Sequence, residues 1–189
     1  MATIKTARLT IRPFEMDDLD VYHGQIYSDA DVTRYLPGGR PRLREETEDV
    51  IAFFIHDRQR EGFSINAVIE NASGQLIGHC GLHRLKEDRS VEVGYSFGKA
   101  HWGKGYATEA AYAALRYGFE TLELRRIIAL AMPPNIASQR VMQKLGMQYQ
   151  GVTDVYYHAE LALYTLERLA FMIDESDYQV IDDSDHSNS

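Results

Sequence analysis

The chain has 189 residues, 44% hydrophobic and 25% charged, which suits one folded domain with a substantial core. Its formal charge is −8, but Asp174, Glu175, Asp177, Asp182, Asp183 and Asp185 supply six of those negatives and leave −2 for the body. A near-neutral body speaks against general nucleic-acid binding, and no stretch has the length and apolarity of a membrane span. Cys80 is the only cysteine, so no internal disulfide forms, and its apolar neighbours read as the surroundings of a small buried side chain. MATIKTARLTIRPF lacks an apolar leader core, and a cytoplasmic protein is expected. The domain is expected over 1–173, with 174–189 an acidic, disordered tail.

Arg8–Phe14 alternates, with Leu9 and Ile11 on one face and Thr10 and Arg12 on the other, and predicts a first strand ending near Pro13. Asp17 is placed to cap a helix in which Leu19, Tyr22 and Ile26 share a face, and a short helix follows from Val32 to Leu36. Leu43–Glu61 predicts a longer helix, with Val50, Phe53 and Phe54 on its apolar side and Gly62 closing it. The period then changes. Phe63–Glu70, Gln75–Arg84 and Val91–Phe97 predict a three-strand meander. A helix is expected from about Ala107 to Glu120, then a strand at Arg126–Ala131. Met132-Pro133-Pro134-Asn135 breaks the chain before a helix from Ile136 to Leu145, closed by Gly146. Met147–Val152 and His158–Leu166 predict two last strands, although LALYTLERL also fits a helical pattern. The fold class is α+β: a mostly antiparallel meander feeding a single crossover helix.

VEVGYSFGKAHWGKGYAT, residues 91–108, joins a strand to a helix through a glycine-interrupted turn. Such a junction gathers unpaired backbone N–H groups at the positive end of a helix dipole, which suits an anion. The pattern G-x-x-x-x-G-K-[ST] is nearly met by Gly98, Gly103 and Lys104, but Gly105 stands where the metal-binding hydroxyl belongs. The dinucleotide pattern G-x-G-x-x-G fails at Thr108, and the loop follows a meander rather than opening a βαβ unit.

The run Trp102-Gly103-Lys104-Gly105-Tyr106-Ala107 resembles the acyl-CoA pyrophosphate loop, [QR]-x-x-G-x-[GA], of the GNAT superfamily of N-acetyltransferases. Gly105 and Ala107 match, while Trp102 replaces the usual Gln or Arg, as in the branch resembling ribosomal-protein N-terminal (Rim-type) and spermidine acetyltransferases. TARLTIRPFEMDDLD, VEVGYSFGKAHWGKGYATEA and NIASQRVMQKLGM look like that branch in its order, so the resemblance covers about Thr6 to Leu169. It implies a mixed sheet flanked by helices and splayed between its fourth and fifth strands, here Val91–Phe97 and Arg126–Ala131. Acetyl-CoA is the implied co-substrate, with no metal. Its pantetheine amides would pair with backbone near Tyr95, Ser96 and Phe97. The pyrophosphate would sit on Gly103, Lys104, Gly105, Tyr106, Ala107 and Thr108, with Lys104 and Arg140 supplying charge.

The implied reaction is direct attack of a primary amine on the thioester, whose carbonyl is polarised by a strand N–H near Val93 or Gly94. A base is useful because free amines titrate well above neutrality. Glu92 points away from Val91, Val93 and Tyr95 and is the candidate base or amine anchor. The general-acid tyrosine of the family falls at Met142, so Ser138 becomes the candidate partner of the leaving thiolate. Asn135 is expected to bond CoA or to cap the helix. Arg34 and Tyr35 are candidate acceptor contacts, and the acceptor site is expected in loops near Tyr27–Arg40 and Tyr149–His158. His79 and His83 share a strand face, have no metal-ligand set around them, and take structural or substrate-facing roles. A protein N-terminus, amino acid, amino sugar or polyamine all stay open as acceptor, and a homodimer stays open as assembly. The rival function is an acyl-CoA-binding sensor or interaction module with little catalysis.

Overall fold

The computed structural model describes residues 2–182. Nine strands form one sheet in the order β7-β8-β6-β5-β4-β3-β2-β1-β9. The strands are β1 (Ala2–Thr6), β2 (Leu9–Arg12), β3 (Ile65–Glu70), β4 (Leu76–Arg84), β5 (Val91–Phe97), β6 (Arg126–Ala131), β7 (Gln148–Thr153), β8 (Leu161–Glu167) and β9 (Tyr178–Asp182). The helices are α1 (Leu19–Tyr22), which runs on as a π-turn through Tyr27, α2 (Ala30–Thr33), α3 (Arg44–Glu61), α4 (Tyr106–Glu120) and α5 (Ile136–Lys144). Among the described strand pairs only β5–β6 is parallel; the rest are antiparallel. The expected mixed α+β sheet is thus the observed one, and an additional strand at the start makes the fourth and fifth predicted strands β5 and β6.

Helix α4 lies on one face. Ala110, Ala111, Ala113 and Ala114 let it approach the sheet closely, while Leu115 and Phe119 anchor it against Val93, Leu82 and Ile127. Each such large apolar side chain contributes about 1.5–3 kcal/mol on burial. The other face is covered by α1, its π-turn and α3, around Phe14, Tyr22, Ile26, Tyr27 and Ile51. A third apolar group, Leu85, Ile128, Tyr156 and Leu161, gathers where the β7–β8 loop meets the sheet.

Helix α3 departs from its predicted face. Phe53 is 42% exposed, Val50 and Phe54 are only partly covered, and the buried positions are Thr47, Ile51, Asp57 and Arg58. Its inner stripe is polar because it meets polar groups on the sheet: Arg58 hydrogen-bonds the Asn66 side chain of β3. LALYTLERL resolves as strand β8, since Leu161–Glu167 has β6 on one side and β7 on the other. No helix among the described residues is long and apolar enough to cross a membrane.

Two strands escape the sequence reading, and they explain each other. β1 is short, and the chain from Asp174 is expected to be disordered, yet β9 pairs with β1 over five positions, Ala2↔Asp182 to Thr6↔Tyr178. The Arg116 guanidinium of α4 lies 4.4 Å over the Tyr178 ring and fastens β9 from the helix side. Asp183 and Asp185 lie outside the described residues. Truncation after Ile173 removes β9 and opens the β1 edge. Cross-strand pairs contribute roughly 0.2–1 kcal/mol each, so unfolding stability is expected to fall by about 1–3 kcal/mol in urea titrations.

Candidate active site

β5 and β6 touch at one register pair, Glu92↔Ile128, and then diverge, while β4 follows β5 from Val91 to Phe97. In an antiparallel ladder the hydrogen-bonded pairs alternate. The Gly98 N–H donates to the Ile77 carbonyl, so by register Ser96, Gly94 and Glu92 turn their backbone groups to β4. Val91, Val93, Tyr95 and Phe97 turn theirs towards β6. The parallel bridge at Ile128 takes up Val91 and Val93, which makes Tyr95 the first residue past the fork whose N–H has no strand opposite. This corrects the expected carbonyl donor: Val93 is bonded to β6 and Gly94 to β4. Of the three residues expected to pair with pantetheine, Tyr95 has an open edge, Ser96 faces β4, and the Phe97 carbonyl accepts from Trp102 Nε1 at 2.7 Å.

The fork leads into the glycine loop. Gly103 and Gly105 have φ of +74° and +84°, a region that other residues enter only with strain. A Cβ on Gly103 would meet nothing within 4 Å, so the backbone is open to a close-approaching anion. Gly105 caps α4, and the N–H groups of its first turn, including Tyr106, Ala107 and Thr108, have no intrahelical acceptor. That geometry fits a pyrophosphate. Lys104 and Arg140 are exposed, on the loop and on α5.

A clamp that sequence reasoning did not find holds the loop. Arg8 Nη1 donates to the Lys104 carbonyl at 2.9 Å, its Nε donates to Glu109 Oε2 at 2.6 Å, and its guanidinium lies 4.7 Å over the Tyr106 ring. Glu109 Oε1 also accepts from the Thr6 hydroxyl at 2.7 Å and the Arg8 N–H at 3.0 Å. The tight turn between β1 and β2 is thereby pinned to the first turn of α4. A carboxylate near a helix start is a legible signal, but its partner is a hundred residues away in the chain.

Across the fork, Asn135 Oδ1 accepts from the Ser138 N–H at 3.2 Å, so the capping role is realised. Tyr95 reaches over from β5: its hydroxyl donates to the Ser138 carbonyl at 3.1 Å and lies 3.0 Å from Ser138 Oγ. Burial pushes the Tyr95 hydroxyl up, so it stays protonated. Met142 is 1% exposed and packs in the main core, leaving no acid at that position.

Glu92 lies on the opposite face from Tyr95 and is 6% exposed. Tyr157, from the β7–β8 loop, donates its hydroxyl proton to Glu92 Oε2 at 2.6 Å. His83, paired with Glu92 across β4 and β5, brings Nε2 to 3.3 Å from the same oxygen and 2.8 Å from the Tyr157 hydroxyl. Burial alone would lower the His83 imidazole, but the hydrogen bond and charge of Glu92, with Asp57 and Glu87, leave it raised. Burial and the Glu92 charge push Tyr157 far above the ordinary tyrosine range. Tyr157 is the member that the sequence did not single out, because nothing local marks a loop tyrosine as inward-pointing. No hydrogen bond or ion pair joins Arg34 or Tyr35 to Glu92 among the described residues. Arg34 pairs with Asp31 at 3.8 Å, and the Tyr35 hydroxyl reaches the Pro134 carbonyl at 3.5 Å.

His79 separates from His83. It is buried, with Nδ1 2.9 Å from the Tyr22 hydroxyl, and burial holds it down at about 3. The unfolded imidazole titrates near 6.5, so the native state resists a proton that the unfolded chain accepts. The contribution of His79 to stability is therefore full above pH 6.5 and is lost as pH falls towards 3, by up to ~1.4 kcal/mol per unit. Urea titrations from about pH 7 down to about pH 4 are expected to show this slope, and His79→Gln to flatten it.

The likeness to known proteins agrees with this geometry. Residues 8–148 match the family model described as an acetyltransferase (GNAT) domain. An uncharacterized N-acetyltransferase of Bacillus licheniformis, p20, is 35% identical over 162 residues, covering 85% of this chain and 90% of the relative. A GNAT-family acetyltransferase from Bacillus anthracis superposes with a TM-score of 0.77 at 33% identity, covering 88% of this chain and 99% of that one. RimL, a ribosomal-protein α-N-acetyltransferase solved with coenzyme A, shares the fold at a TM-score of 0.73 and 14% identity, over 86% of this chain and 95% of its own. The chain belongs to the GNAT family of acetyltransferases.

Proposed function

We propose that this enzyme moves the acetyl group of acetyl-CoA to a primary amine by direct attack, without a covalent enzyme intermediate. The observation that carries this reading is the pairing, at one fork, of a buried carboxylate, Glu92, with an unpaired strand N–H at Tyr95 three positions further on. The amine, held near Glu92, gives up a proton to it and attacks the thioester carbon, while the Tyr95 N–H stabilises the carbonyl oxygen. The carbon–sulfur bond then breaks, and Ser138 Oγ or water donates a proton to the departing thiolate. A thiolate leaves tolerably at neutral pH, since simple thiols titrate at about 8.5, so a strong acid at Met142 is dispensable. The loop from Gly103 to Thr108 takes the pyrophosphate, with Lys104, Arg140 and the Arg8 guanidinium supplying positive charge. Asn135 orients the turn that carries Ser138. Arg34 and Tyr35 contribute to the outer wall of the acceptor side. One cysteine in 189 residues, buried and free, supports a reducing, cytoplasmic setting.

The core-packed Met142 is the one feature favouring an acyl-CoA sensor with little catalysis. Acetyl-CoA turnover against free-N-terminus peptides, polyamines, amino acids and amino sugars separates the readings. At least one primary amine is expected to be acetylated, and a chain that binds acetyl-CoA but acetylates none is the sensor. Glu92→Gln is expected to lower kcat by about 100-fold or more, and Ser138→Ala by only about three- to tenfold. Arg8→Ala is expected to raise the KM for acetyl-CoA about three- to tenfold with little change in kcat, as measured by initial rates.

A further inference from the structure

Glu92 is held on one side only. Both of its close partners, the Tyr157 hydroxyl and His83 Nε2, converge on Oε2. Oε1 makes no hydrogen bond among the described residues and is not among the buried atoms that lack a partner, so it reaches solvent. Proton bookkeeping fixes the state of the ring. Tyr157 has a single proton and gives it to Glu92, so the 2.8 Å contact with His83 is a hydrogen bond only when Nε2 carries its own proton. The nitrogen left to titrate is Nδ1, which is buried and without a hydrogen-bond partner.

We propose that His83 and Tyr157 are positioning residues that clamp Glu92 through Oε2, present Oε1 alone to the acceptor amine, and release the amine's attraction to this site when His83 becomes doubly protonated. The proposal rests on the reading of Glu92 as the base. Its logic is electrostatic. A neutral His83 leaves Glu92 with a full negative charge facing a cationic acceptor. An imidazolium at 3.3 Å offsets that charge and repels the incoming ammonium.

The surroundings make such a switch workable in the neutral range. Facing the ring are Glu92 from β5, Tyr157 from the β7–β8 loop, Asp57 from α3, Glu87 from the β4–β5 turn and His79 from the same strand. Burial opposes a charged ring; the three carboxylates favour it and prevail, so His83 titrates above the ordinary histidine range. Tyr157 stays protonated and His79 stays neutral, so neither competes for the proton. The clamp is also tied to the acceptor side. Tyr157 and His158 both have left-handed backbones, with φ of 56° and 54°, a strained pair held by the Tyr157 N–H on Glu87 and the Tyr156 hydroxyl on Asp88. Tyr157 as a residue remains 38% exposed while its hydroxyl points inward to Glu92, so the loop that borders the acceptor also sets the carboxylate.

Imidazole NMR provides a test independent of any acceptor, with the His83 resonance assigned by its loss in His83→Gln. His83 is expected to titrate above pH 6.5 in the wild type and to fall by about one unit or more in Glu92→Gln. A His83 that titrates at or below 6.5, or that ignores Glu92→Gln, overturns the clamp whatever the enzyme acetylates. Kinetics supplies the second arm, on whichever amine of the panel is acetylated. In wild type the acid limb of kcat/KM for the amine is set by His83. His83→Gln keeps a donor for Oε2 without a titrating ring and should move that limb to lower pH by about one unit or more. His83→Leu and Tyr157→Phe should lower kcat about tenfold or more, with the KM for acetyl-CoA within about twofold. An unmoved limb in His83→Gln, or a parallel rise in the acetyl-CoA KM, contradicts the clamp while leaving the proposed function standing. Absence of any acetylated amine contradicts the proposed function, and the NMR arm then decides the clamp alone.

Discussion

The site depends on one constraint: two neighbouring parallel strands that can pair at a single position. β6 meets β5 at Glu92 and Ile128 and then leaves it. Backbone groups on a buried strand need partners, and an unpaired edge inside a fold is costly unless something fills it. Beyond the fork, the Phe97 carbonyl is met by the Trp102 indole, and the Tyr95 hydroxyl crosses to Ser138. The Tyr95 backbone N–H is left as the open donor. Fork, open donor and buried carboxylate lie within four residues of one strand, so small changes of register would move all three together.

The remaining elements hold the two arms of that fork in place. On the β5 side, the turn between β1 and β2 reaches α4 through Arg8 and Glu109, which fixes the glycine loop against a strand at the far half of the sheet. β9 closes the outer edge of β1 and so supports that turn from behind. On the β6 side, Asn135 caps α5 and presents Ser138 to the gap. The second face of the sheet carries the polar chemistry. There α3 buries Asp57, β4 supplies His83, and the β7–β8 loop lowers Tyr157 onto Glu92. The polar group around Glu92 thus draws on three elements, with Glu92 from β5, His83 from β4 and Tyr157 from the β7–β8 loop.

Much of this was legible in the residues, and the limits have physical causes. Val91–Phe97 and Arg126–Ala131 were read with their observed bounds because apolar runs between turn residues leave little choice. The alternation of Val91, Val93 and Tyr95 put Glu92 on the other face, as found. What stayed hidden is long-range. Arg8 and Glu109, β1 and β9, and Tyr157 and Glu92 are pairs whose members lie far apart in the chain, and neither member alone has a periodicity that marks it. Which strand N–H near Val93 or Gly94 is left open could not be read from the residues, because ladder parity depends on which pair starts the hydrogen-bonding, here Ile77 and Gly98. Composition also misled: an acidic stretch after Asp174 reads as solvated chain, yet Tyr178, Val180 and Ile181 stand within a five-residue strand that completes a sheet edge.

The central claim is that the fork leaves the Tyr95 amide as an open edge for acetyl-CoA, and residue-resolved amide hydrogen exchange tests it most directly. Without ligand, the Val93 and Gly94 amides should be protected by β6 and β4, and the Tyr95 amide should exchange faster than both. Saturating acetyl-CoA should slow Tyr95 selectively. A Tyr95 amide as protected as its neighbours before ligand is added, or one unchanged while acetyl-CoA is demonstrably bound, would contradict the account.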